Sequence, residues 1–245
     1  IPAISAKEEY SRFVIKELVK YIDTDFVLMV QYDGFILNPD AWTDEFQKYD
    51  YIGAKWHWYN DGHNVGNGGF SLRSRRLLQA LSDDSINADS VEYGEDSLIC
   101  RTYRDLLENK YGIKFAPEIL ADRFSYERSG FTGAHPFGFH GLFNMWRYIP
   151  PQHLQDFINE LSPRTLQAVE TTELGLHYQK TGQLKEADIV FSRILQYYPQ
   201  HPEARRALEM IRPQTQKTAI SGRNGPCSCG SGRKYKKCCG GKGRE

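Results

Sequence analysis

Four of the chain's five cysteines, Cys227, Cys229, Cys238 and Cys239, crowd into one basic, glycine-rich segment. Their order is Cys-x-Cys, an eight-residue spacer, then Cys-Cys. Thiolates two apart grip one tetrahedral ion from a tight turn, and a second pair brought back by residues 230–232 closes a four-sulfur shell. The spacing therefore predicts a structural Zn²⁺ site with no open position for a substrate. A small disulfide cluster is the other use of four cysteines. Adjacent Cys238 and Cys239 suit two independent bridges poorly, and nothing in the sequence reads as a secretory signal, so zinc is preferred. The fifth thiol, Cys100, falls in a predicted helix and reads as a small core residue.

A second set of chemically capable residues lies upstream. Asp33 stands at the end of an apolar run, just before Gly34. Gly66, Gly68 and Gly69 are three glycines in four positions, a turn through which backbone amides can approach a ligand, and Arg73, Arg75 and Arg76 follow with charge suited to phosphates. Glu95 and Asp96 open a predicted helix, and His140 sits among glycine and aromatic residues. Taken singly, each has a plainer use. Asp-Gly is ordinary turn chemistry, carboxylates at a helix start favour the dipole, and a lone histidine is more often structural.

Positioning these residues requires strands and helices in a regular order. Residues 7–22 read as an amphipathic helix, with Phe13, Val14, Leu18, Tyr21 and Ile22 on one side. Residues 24–33 then form a continuous apolar strand whose carboxyl end delivers Asp33, the place where open α/β sheets build ligand sites. Residues 50–59 read as a second strand ending in aromatics. From 162 to 212 the pattern is helical only, 213–222 is a polar linker, and 223–245 is the cysteine module. The domains are thus 1–161, 162–212 and the zinc tail.

With 245 residues the chain holds one large domain plus small appendages, and 13% aromatic content can fill a sizeable core. Thirty-one basic side chains balance 31 acidic ones, so whole-chain charge does not point to a nucleic-acid enzyme. No apolar run approaches the roughly 20 residues needed to cross a bilayer, and a reducing, cytoplasmic setting is expected. The chain begins with Ile1 rather than Met, which fits a fragment or a processed product.

Three resemblances follow from these motifs. Asn224-Gly225-Pro226-Cys227-Ser228-Cys229 through Cys238-Cys239-Gly240 closely resembles the SEC-C motif, a module that binds zinc and serves as an accessory docking piece. Its Arg233, Lys234, Lys236 and Lys237 would meet an anionic partner or form a solvated face. Leu174-Gly175, Tyr178, Gly182, Ala187, Phe191 and Pro199 fall at the offsets of a tetratricopeptide repeat, and 202–204 looks like the start of another. There Gly175 and Ala187 let two helices approach, while Tyr178, Phe191 and Leu195 should be buried. One repeat and part of a second cannot bury their own faces. The segment is expected to lean on the preceding domain, on a second copy or on a protein partner.

The third resemblance covers residues 7–148. Gln31-Tyr32-Asp33-Gly34, Tyr51-Ile52-Gly53-Ala54, Gly66-Asn67-Gly68-Gly69-Phe70-Ser71-Leu72-Arg73, Glu95-Asp96 and Phe137-Gly138-Phe139-His140-Gly141, in this order, resemble GT-A-type glycosyltransferases. They are most similar to a bacterial glycosyltransferase-like domain of unknown function. The resemblance implies an α/β fold with a mixed sheet flanked by helices, acting on a nucleotide-sugar donor and an acceptor. It makes Asp33 and His140 ligands of Mn²⁺ or Mg²⁺ at the donor diphosphate, and Asp96, with Glu95 beside it, the base candidate. Gly68 and Gly69 become part of the donor or acceptor wall, and Arg73 stands with them as a cofactor-binding candidate for its charge on phosphates. Two departures stand out. The usual Asp-x-Asp is Gln31-Tyr32-Asp33, and only the segment Ile1 to Ile22 precedes the strand where such folds place the nucleotide-binding half of the sheet. A truncated chain would account for the second. So would the competing class, an interaction scaffold with a degenerate transferase fold and a zinc docking tail.

Overall fold

The computed structural model describes residues 3–88, 94–128, 136–220, 231 and 233–238, with 213–220 described by their backbone alone. The chain is mixed α/β and divides into two compact units, residues 1–141 and 142–245.

The first unit is built on two three-stranded sheets. Strands β1 (Phe26–Val30), β3 (Tyr51–Gly53) and β4 (Phe70–Ser74) form one, with β4 in the middle and both neighbours antiparallel to it. The smaller sheet joins β2 (Gly34–Ile36) and β5 (Ser125–Tyr126) to either side of β6 (Gly138–His140). There β2 runs antiparallel and β5 parallel to β6. Where one mixed sheet is expected, the larger sheet is wholly antiparallel and only the smaller one mixes parallel and antiparallel pairs. Residues 54–69 return the chain from β3 to β4 without a helix, and parallel pairing needs a crossover of a dozen or more residues, usually helical.

Strand β4 has both faces covered. Phe70 and Leu72 enter a core with Phe46, Ile52, Phe124 and Phe137, and aromatic edges fill it at centroid spacings of 5.2 to 6.3 Å. Ser71 and Arg73, alternating with them, are fully buried on the opposite side. Helix α1 (Lys7–Arg12) starts under Glu9, whose Oε2 accepts the Ser5 and Ala6 backbone N–H groups at 2.8 and 3.3 Å. It continues through a π turn and a 3₁₀ turn to Tyr21, which agrees with the amphipathic pattern over 7–22. Its Val14, Ile15 and Leu18 join helices α2 (Arg75–Leu81) and α4 (Arg104–Tyr111) and the Leu98–Thr102 turn in a second core. The short helix α3 (Glu95–Ser97) begins just after Gly94, and α5 (Glu118–Phe124) leads into β5.

The second unit is helical. It contains α6 (Leu154–Glu160), α7 (Pro163–Gln167), α8 (Val169–Lys180), α9 (Leu184–Tyr197) and α10 (Pro202–Ile220). Helices α8 and α9 pack as a hairpin in which the Phe191 ring occupies the space a Gly175 side chain would need. Ala187, Tyr178 and Phe191 are buried; Leu195 is only half-buried, and its neighbour Ile194 takes the core position.

Two expected boundaries shift. The units part between Gly141 and Leu142 rather than near residue 161, because the 3₁₀ segment Leu142–Arg147 packs on α8 and α6 packs on α9. These preceding helices supply the apolar cover that a single repeat lacks. The polar stretch from 213 is not an irregular linker: α10 runs past Pro213 to Ile220, since Gln, Lys, Thr and Ala there are compatible with helix. Among the described residues no helix is long and apolar enough to cross a membrane.

Candidate active site

The glycine turn between residues 66 and 69 is the hub of the first unit's polar residues. The Tyr51 hydroxyl donates to the Gly66 and Asn67 carbonyls at 2.8 and 3.1 Å, and the Gly69 carbonyl accepts from Gln31 N–H at 2.8 Å. Asn67 clamps the turn from within, its Oδ1 accepting the Gly69 N–H at 3.1 Å. The turn is thereby tied to β3 below and to the end of β1 beside it.

Asp33 and His140 meet at this turn. Pairing of Gly34 with His140 across β2 and β6, and the Gly141 N–H donated to the Asp33 carbonyl at 3.0 Å, bring the two side chains together. Asp33 Oδ1 lies 3.1 Å from His140 Nε2. Gly69 makes room for the ring: a Cβ there would sit 2.0 Å from Nε2. The other ring nitrogen, Nδ1, lies 3.3 Å from Glu127 Oε1 and 3.2 Å from Asn67 Nδ2. Burial alone would disfavour a charged imidazole, but the Asp33 and Glu127 carboxylates outweigh it and raise the His140 pKa to about 9.

Asp96 stands on the other side of the same turn. Its Oδ2 accepts the Gly68 N–H at 3.1 Å and its Oδ1 the Ser97 N–H at 2.7 Å, so each oxygen keeps a lone pair for a further proton. Gly68 is required here as well, since a Cβ would lie 2.9 Å from that of Asp96 and 2.8 Å from Glu95 Oε1. Burial, and then the charge of Glu95, lift the Asp96 pKa to about 6, the range suited to a base at neutral pH.

Arg73 and Glu95 take different places from those the sequence suggested. Arg73 is fully buried and donates from Nη2 to Glu95 Oε1 at 2.8 Å and from Nε to Ser71 Oγ at 3.0 Å. Its charge is paired with Glu95 inside the protein, while Nη1 is buried with no hydrogen-bond partner among the described residues. Glu95, almost as deeply buried, is its counter-ion and is not presented as a base. Arg76 is likewise a staple, donating to the Tyr111 and Gly112 carbonyls and facing Asp50 at 3.5 Å. Sequence reasoning passed over Glu127 and Asn67. Glu127 follows β5 directly, and the register that sets Tyr126 beside Phe139 sets Glu127 beside His140.

Among the described residues, no group of three or more His, Cys, Asp or Glu side chains gathers around one point. Asp33 and His140 form a two-donor set. Donors that share one cation at right angles and about 2.1 Å bonds stand roughly 3 Å apart, which their 3.1 Å separation matches. The Nε2 proton and a cation would compete for the same nitrogen. In the tail, Cys227, Cys229 and Cys239 lie outside the described residues. Cys238 Sγ lies 3.2 Å from Ser231 Oγ, and Arg233, Lys234, Lys236 and Lys237 are exposed.

Comparison with known proteins separates the two ends of the chain. The SEC-C motif matches residues 223–241. A SecA protein translocase subunit of Syntrophobacter fumaroxidans is 69% identical over 29 residues, 12% of this chain and 4% of that protein. A UPF0225 protein of Geobacter sulfurreducens is 63% identical over 30 residues, 12% of this chain and 19% of its own length. A second UPF0225 protein, from Photorhabdus laumondii, is 54% identical over 35 residues, 14% of this chain and 18% of that one. The chain thus spans less than a fifth of each of these curated relatives. No solved structure matches it. The body of the chain, residues 2–140, matches the family described as "Protein of unknown function (DUF5672)", and with more than half its length covered the chain belongs to that family.

Proposed function

We propose that the first unit is a GT-A-type glycosyltransferase that moves a sugar from a nucleotide-sugar donor to an acceptor hydroxyl. The observation that carries this reading is the convergence on one glycine turn of Asp33 with His140 at 3.1 Å on one side and Asp96 on the other. Asp33 and His140 would hold Mn²⁺ or Mg²⁺, which when bound neutralises charge on the leaving diphosphate. Glu127, at the far nitrogen of the ring, orients His140 with Nε2 towards Asp33. Gly68 and Gly69 leave the donor wall without side chains. As the anomeric carbon forms its bond to the acceptor oxygen and its bond to the diphosphate oxygen breaks, Asp96 takes the hydroxyl proton. Arg73 and Glu95 act as the buried pair that fixes the start of α3 beneath it.

The tail would bind one Zn²⁺ through Cys227, Cys229, Cys238 and Cys239, on the strength of the SEC-C match. The close α8–α9 seam supports the tetratricopeptide-like reading, and either part offers a docking surface for a protein partner. The buried Cys100 thiol suits a reducing compartment. The competing reading is an interaction scaffold on a degenerate transferase fold with a zinc docking tail. Incubating the intact chain with UDP- and GDP-sugars, with and without Mn²⁺, separates the two. Metal-dependent release of the nucleotide diphosphate supports the transferase, and inert donors support the scaffold.

A further inference from the structure

Residues 55–65 form a closed loop above the glycine turn, and its tip is aromatic. Lys55 bridges Val65, and Trp56 N–H donates to the Asn64 carbonyl at 2.8 Å. Arg101 braces the loop from outside. Its guanidinium lies 3.9 Å above the Tyr59 ring and donates to Asp61 Oδ1 and the His63 carbonyl, each at 2.9 Å. Trp58, at the tip, is 55% exposed although its base is packed: Trp56 stacks behind it at 6.2 Å and 25°, and the His57 ring meets its edge at 4.8 Å. An indole held by a stapled loop and left open to solvent is a preorganised flat apolar surface.

The position of the loop gives this surface a meaning. Trp56 fills the space over Gly66, where a Cβ would lie 2.2 Å from its ring; Gly68 contacts Asp96; and Gly69 contacts His140. Along four consecutive residues the turn is therefore lined by the aromatic loop, then the base candidate, then the metal-ligand candidate. The diphosphate of a donor belongs at the His140 end, which leaves the aromatic end to the acceptor. Trp58 continues this line one ring beyond Trp56, at a centroid spacing of 6.2 Å. Exposed His57 and Asn60 flank Trp58 and can hydrogen-bond hydroxyl groups.

We propose that Trp58 is the floor of an acceptor subsite for a pyranose, stacking on the C–H face of the ring that precedes or carries the reacting hydroxyl. Its place on the acceptor side rests on the transferase reading, but its ability to bind a sugar does not. The test is saturation-transfer NMR of the intact chain with the methyl glycosides of glucose, galactose, mannose and N-acetylglucosamine at millimolar concentration, alongside UMP and GMP. At least one glycoside should bind, and Trp58→Ala should weaken it by about tenfold. Trp58→Phe should restore part of the affinity, while Val169→Ala, at an exposed position of α8 outside the site, should leave it unchanged. Glycoside binding that survives Trp58→Ala, no binding of any glycoside by the wild type, or loss in Trp58→Ala of nucleotide rather than glycoside binding would each overturn the subsite. Sugar binding lost with Trp58 in a chain that turns over no nucleotide-sugar would keep the subsite and sink the transferase.

Discussion

Gly69→Ala is the most economical probe of the site, because the structure says which atoms a single methyl group would strike. The new Cβ would lie 2.0, 2.3 and 2.5 Å from Nε2, Cδ2 and Cε1 of His140. Relaxed contacts between such atoms are roughly 3.5 Å, so the ring must retreat by about 1.5 Å. It cannot do so freely, since β6 is paired with β2 on one side and β5 on the other, and Glu127 Oε1 faces Nδ1 at 3.3 Å. Overpacking of this kind costs about 1–3 kcal/mol, a fall in melting temperature of about 2–4 °C per kcal/mol. The retreat also separates Nε2 from Asp33, and Mn²⁺ affinity should drop by about 10- to 100-fold, as when a ligand loses its orientation. Calorimetric Mn²⁺ titration and a melting curve read both effects. Gly62→Ala is the control: it meets nothing within 4 Å, and although its φ of 81° makes the substitution strained, it should spare metal binding. A Gly69→Ala protein with wild-type melting and wild-type Mn²⁺ affinity would refute the packing of His140 on the turn.

Three further outcomes are expected. Cys238→Ser should abolish stoichiometric zinc in metal analysis while leaving the melting of the body unchanged; retained zinc at full affinity would remove the four-thiolate assignment. Ala187→Phe should overpack the α8–α9 seam, where Ala187 is fully buried, and cost about 1–3 kcal/mol in chemical denaturation, so a neutral result would end the repeat reading. Transfer should rise as pH climbs through about 6, because Asp96 accepts a proton only when ionised and burial, with Glu95, has lifted its pKa to that value. Stability carries the opposite sign, the raised pKa favouring the fold at low pH and losing that contribution as pH rises through about 6. A flat pH–rate profile between 5 and 7, or an active Asp96→Asn, would exclude Asp96 as the base.

The parts of the fold visible in the sequence are those set by local periodicity. The helix from Lys7, strand β1 ending before Asp33, and the helical hairpin from Val169 all follow from spacing alone. Arg73 misleads for a physical reason. On an alternating strand an arginine opposite phenylalanine and leucine reads as the solvent face, and only the packing of both sides of β4, with Glu95 lying 22 residues further on, shows it to be buried. Glu127 is hidden differently, since its meeting with His140 depends on the β5–β6 register, a non-local pairing that neither segment encodes by itself. The boundary at Leu142 was illegible because the helices from Leu142 to Gln167 have no composition of their own; their allegiance is decided by contacts with α8 and α9.

The proposed transferase requires Asp33 and His140 to hold one divalent cation for nucleotide-sugar chemistry. Its most direct test is the initial rate of nucleotide diphosphate release from UDP- and GDP-sugars by the intact chain, with and without Mn²⁺, compared between wild type and Asp33→Asn. Mn²⁺-dependent turnover of one donor class is expected, lost in Asp33→Asn without loss of folding. Turnover that is indifferent to Mn²⁺, or equal in the two proteins, would contradict it.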